Sequence, residues 1–149
     1  MSENTASPEA EARVRASFAR QRFMATLGAQ LTRIERDAVD IQLPVSPAVS
    51  QQHGFVHAGA MAAVADSACG YAALTGMPAG AAVLSIEFKI NMLAPAAGEY
   101  VVARGRVVRR GRTIIVCGAD VLAVTGGAEK LVAVMTATMM VVEGRGLAD

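Results

Sequence analysis

The sequence predicts one α+β domain, a single antiparallel sheet with its helices gathered on one face. Three observations predict it. Residues 58–74 form an apolar, Ala-rich segment with the composition of a buried helix. Residues 84–92 alternate strictly between apolar and polar side chains, the period of a strand. The links between the later strands are short, which favours antiparallel pairing. A chain of 149 residues suits one domain with a proper core.

Residues 1–7 are expected to be disordered, as is the tail from about 144 to 149. Ser7-Pro8 reads as an N-cap followed by proline at the first helical position. Glu9 and Glu11 suit the positive end of the helix dipole. This helix is expected to reach about Met24, with Val14, Phe18 and Phe23 or Met24 turned towards the body. Leu27, Ala29 and Leu31 alternate, as do Val39, Ile41 and Leu43, so two short strands follow, with a turn near Arg36-Asp37. Pro44 and Pro47 end that pair and lead into the loop from Gln51 to His57.

The segment 58–74 has no Lys, Arg or Pro, one acid (Asp66), and only Gly59 and Gly70 as poor helix formers. A helix apolar nearly all round is buried. Its 17 residues would span about 25 Å, at ~1.5 Å rise per residue. That is the width of a small domain, so the rest of the fold wraps around it. Residues 76–80, GMPAG, form a loop. In the next strand Leu84, Ile86, Phe88, Ile90 and Met92 alternate with Ser85, Glu87, Lys89 and Asn91, until Pro95 and Gly98 break it. Strands over 100–108, 113–124 and 130–142 follow, with turns at Gly111 and at Gly126-Gly127.

Composition excludes several function classes. Hydrophobic residues make up 53% of the chain and charged residues 18%, apolar enough to suggest a buried interface between subunits. A net charge of +1 argues against a general nucleic-acid or membrane-surface partner. With 4% aromatic residues and no Trp, few surfaces exist for single-stranded nucleic acid to stack on. The first residues are polar and acidic, without the apolar stretch of a secretory signal, so the expected location is the cytoplasm. Cys69 and Cys117 are too few for a disulfide framework and suit buried thiols. His53 and His57 have no Cys at ligand spacing, so no metal site is expected.

Asp66 is the anomaly. A lone buried carboxylate is costly unless paired, protonated or solvated in a cleft. At helical spacing it shares a face with Gly59, Ala62, Ala63 and Gly70, all small. That face leaves room for something other than the helix's own side chains to reach the carboxylate.

The run HAGAMAAVADSACG resembles the HGG-x(6)-D stretch of hotdog-fold acyl-CoA thioesterases. The nearest branches are the phenylacetate-pathway and 4-hydroxybenzoyl-CoA thioesterase-like ones, with the human superfamily member that acts on long acyl-CoAs. The resemblance spans residues 27–142 and includes LSIEFKINMLAPA, which looks like the long strand and Pro turn that follow the helix. It implies a hotdog fold, a curved antiparallel sheet wrapped around the central helix, here with an extra N-terminal helix. It implies thioester hydrolysis of an aryl- or medium/long-chain acyl-CoA. Coenzyme A is then part of the substrate, and no further cofactor is implied.

The resemblance places His57 at the motif histidine, expected to hold the loop or contact Asp66 or water. Ala58 stands at the first Gly of the motif and Gly59 at the second, so the amide of one or the other is the expected oxyanion donor. Asp66 matches the acid used as nucleophile or general base. Gln51, fifteen residues before it, lies where the family has Asn or Gln and would orient the substrate. Ser85 matches a Ser that places the hydrolytic water in some members. Gly70 falls where the 4-hydroxybenzoyl branch has a Thr, so Ser85 or Ser67 would supply that hydroxyl.

A helix N-terminus offers unpaired N–H groups to a developing oxyanion. Asp66 lies roughly 12 Å further along, at ~1.5 Å per residue. One substrate atom cannot meet both. The family resolves this with a dimer in which donors come from one subunit and the acid from the other. The expected assembly is therefore a homodimer or a dimer of dimers, with sites at the subunit interface. Arg109, Arg110 and Arg112, on a hairpin rim, are candidate ligands of the coenzyme A phosphates, with Arg104 and Arg106 less so. Met77, Met92, Met135, Met139 and Met140 read as core or acyl-tunnel lining. Two rival readings are a non-catalytic acyl-CoA-binding hotdog that senses ligand and a hotdog enoyl hydratase or dehydratase.

Overall fold

The computed structural model describes residues 4–149. The elements run α1 (Pro8–Arg20), α2 (Arg22–Leu27), β1 (Gln30–Glu35), β2 (Ala38–Pro44), a 3-10 turn (Pro47–Val49), α3 (Ala58–Leu74), β3 (Ala82–Met92), β4 (Tyr100–Arg110), β5 (Ile114–Thr125) and β6 (Ala128–Val142). The strands form one antiparallel sheet in the order β1-β2-β4-β5-β6-β3. The long helix α3 packs against β2, β3, β4, β5 and β6. This is the hotdog fold, with α1 added at the N-terminal side.

Ser7 caps α1, its Oγ accepting from the Ala10 amide at 3.2 Å, with Pro8 at the first position. The single helix expected to Met24 is in fact two. Gln21 leaves helical geometry at φ −80° and ψ 92°, and the chain turns there so that Met24 enters the core beside Val14. Phe23 is left outside, 57% exposed. Leu27 belongs to α2, which ends on Gly28 in the left-handed conformation, φ 73°. The alternation through Leu27, Ala29 and Leu31 is therefore not a strand; β1 starts at Gln30.

Both chain ends were expected to be loose. Residues 1–3 lie outside the described residues. Asn4 accepts from the Arg36 amide at 3.0 Å, and Ala6 is buried. In the tail, Asp149 is tied down. Its carboxylate accepts from Ser17 Oγ at 2.7 Å and from the Val83 amide at 2.8 Å, which holds the tail across α1 and β3.

The core lies between α3 and the sheet. Val64, Ala65, Ala68, Cys69, Ala72, Ala73 and Leu74 of the helix are fully buried against Val101, Ala103, Val121 and Ala137. Ala62, Ala63, Asp66 and Ser67 are half-buried, so the small face predicted around Asp66 looks out of the core. Met77, Met135 and Met139 are buried, whereas Met92 and Met140 are exposed.

One strand sits unusually close to the helix. A Cβ built on Gly105 of β4 would lie 2.4 Å from the carbonyl carbon and oxygen of Ala68 and 2.7 Å from the Cys69 nitrogen. The backbones of α3 and β4 are thus in direct contact, and neither can flex like a side chain. Gly105→Ala is expected to force the helix off the sheet. Overpacking of this kind costs about 1–3 kcal/mol, and each kcal/mol lowers Tm by about 2–4 °C in a domain this size. A thermal melt should show a drop of about 2–12 °C. A Tm unchanged within about 1 °C would contradict the contact.

Candidate active site

The site begins with a phase change in β3. In antiparallel pairs, opposed residues share a face. Val83 and Ser85 oppose Val141 and Met139, which are buried under α3. The register then shifts between Ser85 and Glu87, and beyond it Phe88, Ile90 and Met92 oppose buried Ala137, Met135 and Ala133. Ile86 sits in this bulge. A bulge re-aims the side chain beside it, and here Ser85 turns towards the helix while Glu87 faces out to Thr138.

Ser85 Oγ donates to Asp66 Oδ1 at 2.7 Å. It was expected to place a water; its direct partner is the acid itself. Burial pushes the Asp66 carboxyl above its ordinary 3.8, and the Ser85 hydrogen bond pulls the other way. Ser67 Oγ, one residue on, donates to the Gln21 side-chain oxygen at 3.2 Å. Asp66, Ser67, Gly70 and Ser85 line a cleft of about 360 Å³, walled by α1 and the tail.

The other predicted residues gather elsewhere. Gln51, His57 and Ala58 line a cleft of about 550 Å³ at the N-terminal end of α3, together with Phe55, Met92 and Leu93. The two clefts share no lining residue. Within one chain, the acid and the helix start stand apart.

His57 is the N-cap of α3, its Nδ1 accepting from the Gly59 amide at 2.8 Å. It holds the loop and does not touch Asp66. With Nδ1 accepting, a neutral ring carries its proton on Nε2. The Gly59 amide, one of the two expected oxyanion donors, is thereby taken. A Cβ on Gly59 would come 3.0 Å from that same Nδ1, so glycine leaves room for the cap. The Ala60 and Met61 amides both donate to the His57 carbonyl, at 3.0 and 3.2 Å. Among the described residues only the Ala58 amide of this first turn has no partner. Gln51 shapes its own turn. Its amide donates to the Phe55 carbonyl at 2.8 Å, and its side-chain oxygen accepts from the His53 amide. Its side-chain NH2 makes no hydrogen bond among the described residues.

The arginines divide. Arg110 donates to the Ala73 carbonyl at 2.9 Å and pairs with Asp37, at the C-terminal end of α3. Exposed helix-end carbonyls and the negative end of the dipole explain this placement, and it removes Arg110 from the phosphate candidates. Arg13 serves the same end, donating to the Leu74, Met77 and Pro78 carbonyls. Arg104 pairs with Glu129 and Asp40, and Arg106 with Asp120. Arg109 and Arg112 are exposed and have no partner among the described residues.

The thiols of Cys69 and Cys117 are buried, which pushes both above their ordinary range, Cys117 to about 12. They belong to the core. No group of His, Cys, Asp or Glu among the described residues is arranged to hold a metal ion. No helix there is long and apolar enough to cross a membrane. Ser17 of α1, Gln21 between α1 and α2, Tyr71 of α3 and Asp149 of the tail also wall the Asp66 cleft, and no motif in the sequence marks them.

Residues 53–130 match the thioesterase superfamily. A thioesterase family protein from Silicibacter pomeroyi is 48% identical, with a TM-score of 0.88 over 91% of this chain and 99% of that one. The chain belongs to the thioesterase superfamily. A thioesterase from Haemophilus influenzae is 23% identical, with a TM-score of 0.78 over 88% of this chain and 91% of that one. The Escherichia coli PaaI protein from the phenylacetic acid degradation operon is 21% identical, with a TM-score of 0.82 over 94% and 98%. These two support the fold. No functionally curated protein matches the sequence.

Proposed function

We propose that the protein is a cytoplasmic acyl-CoA thioesterase in which Asp66 attacks the thioester or activates water. The observation that carries this reading is the Asp66–Ser85 pair. A carboxylate on an otherwise apolar helix is half-buried, fixed by one hydroxyl at 2.7 Å, and open to a cleft. One oxygen is held and the other is available to act, the arrangement that a general base or nucleophile needs. Ser85 is then a positioning residue. The Ala58 amide, at the positive end of α3, is the oxyanion donor, and the Gln51 NH2 orients the substrate. Arg109 and Arg112 remain candidates for the coenzyme A phosphates.

The separation of the two clefts supports a homodimer with shared sites. β3 is an edge strand of 11 residues. On the face towards α3 it leaves Phe88 and Met92 45% and 41% exposed. Long apolar edges are ordinarily paired or covered. A two-fold partner laid along β3 would bring its own α3 start towards this chain's Asp66, giving two equivalent sites.

Free-thiol release from acyl-CoAs, from acetyl to palmitoyl with phenylacetyl and hydroxybenzoyl, tests the reading. Release from at least one is expected. Binding of acyl-CoA without release from any would favour a ligand sensor.

The pH profile follows from the raised Asp66 pKa. The carboxylate form acts, so kcat/KM should rise with pH through a value above 3.8. Stability runs the other way. The protonated form suits the folded state, so the Asp66 contribution is fully present below 3.8 and is lost as pH rises through the folded pKa. Ser85→Ala removes the hydrogen bond that lowers the pKa, so its acid limb should move to higher pH. An acid limb that stays put would separate Ser85 from the ionisation of Asp66.

A further inference from the structure

We infer that Gly70 and Asp149 set the depth of the acyl site, Gly70 as its open floor and Asp149 as its far wall, so that the enzyme prefers short acyl groups. The inference rests on the thioesterase reading. A thioester carbon must come within about 3–3.5 Å of an attacking group. An acyl group so placed can extend past Asp66 along α3, and one helical turn on it meets residue 70.

Two glycines of the molecule that pack at α3 differ in what they allow. At Gly105 a Cβ would strike the helix backbone. At Gly70 a Cβ would meet nothing closer than Val83 Cγ1, at 4.0 Å. No neighbour among the described residues of this chain requires glycine there, and a glycine within a helix weakens it. What the absent side chain does provide is width in the cleft that holds Asp66.

With Gly70, the cleft is lined by the polar groups of Ser17, Tyr71 and Asp149. Ser17 and Tyr71 are buried, 6% and 4% exposed, and their hydroxyls lie 3.3 Å apart. Ser17 Oγ donates to Asp149 Oδ1, and Asp149 Oδ2 accepts from the Val83 amide. An alkyl chain driven to this depth would part these bonds and leave buried hydroxyls without partners, which is unfavourable. The volume, about 360 Å³, is small among ligand sites of roughly 300–1,000 Å³.

The test compares kcat/KM across straight-chain acyl-CoAs for wild type, Gly70→Ala, Gly70→Leu and Asp149→Ala. Gly70→Ala should melt at or above the wild-type temperature, which shows that added bulk is tolerated by the fold. Gly70→Leu should move the optimum to shorter chains. Asp149→Ala should move it to longer ones. Each shift should change the long-to-short ratio by about tenfold, the scale of one methylene in a pocket. Folded variants with the wild-type chain profile would overturn the inference. Should wild type release thiol from no acyl-CoA, the thioesterase reading fails separately. Dissociation constants for the same acyl-CoAs then decide the depth question: opposite shifts in the Gly70→Leu and Asp149→Ala variants support it, and unchanged ones overturn it.

Discussion

Asp66→Asn is expected to lower kcat/KM for the best acyl-CoA by about 10³-fold or more, the scale of a lost general base or nucleophile. Asparagine has nearly the same shape, and its Oδ1 can still accept from Ser85 Oγ, so the geometry of the cleft should survive. The change removes the charge whose burial raises the Asp66 pKa. Tm should therefore equal or exceed that of wild type, and acyl-CoA affinity should stay within a few-fold. Steady-state kinetics with a thermal melt and a binding titration read all three. Turnover retained within a few-fold would assign the chemistry to another group.

Ala58→Pro should be nearly as damaging to turnover and nearly silent in stability. Ala58 is the first residue of α3, where proline is well tolerated. The residue before a proline must be extended, and His57 already is, at φ −63° and ψ 137°. The substitution deletes one N–H, which has no partner among the described residues. Loss of an oxyanion donor costs about 10²–10³ in kcat. A folded Ala58→Pro variant with kcat near wild type would remove the Ala58 amide from the mechanism.

The element order and the buried helix were legible because they rest on strong, long-range patterns. Residues 58–74 lack the charges a surface helix would carry, and α3 spans the same residues. The turn at Gly126-Gly127 was legible for a local reason: both residues take positive φ, 55° and 80°, as a tight hairpin demands. Asp66 stood out because one acid in such a helix needs an explanation.

What remained hidden depended on small departures from periodicity and on competition between groups. Strict alternation placed Ser85 with Glu87, Lys89 and Asn91, away from the apolar face. The bulge at Ile86 inverts that phase, and no Gly or Pro marks it. The Gly59 amide looked free until the His57 ring was seen to cap it. The neighbours Arg109, Arg110 and Arg112 look alike as letters; only the shape of the hairpin sends Arg110 under the end of α3. The break at Gln21 and the anchoring of Asp149 arise from where α1 must sit, which no local pattern records.

The central claim is that each site takes its acid from one subunit and its oxyanion donor from the other. Subunit complementation tests it most directly. Asp66→Asn and Ala58→Pro chains, each inactive alone, would be given different tags, coexpressed and purified as the mixed dimer. A shared site predicts that one of the two sites is rebuilt from the unaltered halves, with about half the wild-type activity per dimer. Activity no greater than that of the two parent variants would contradict the account and put both groups to work within a single chain.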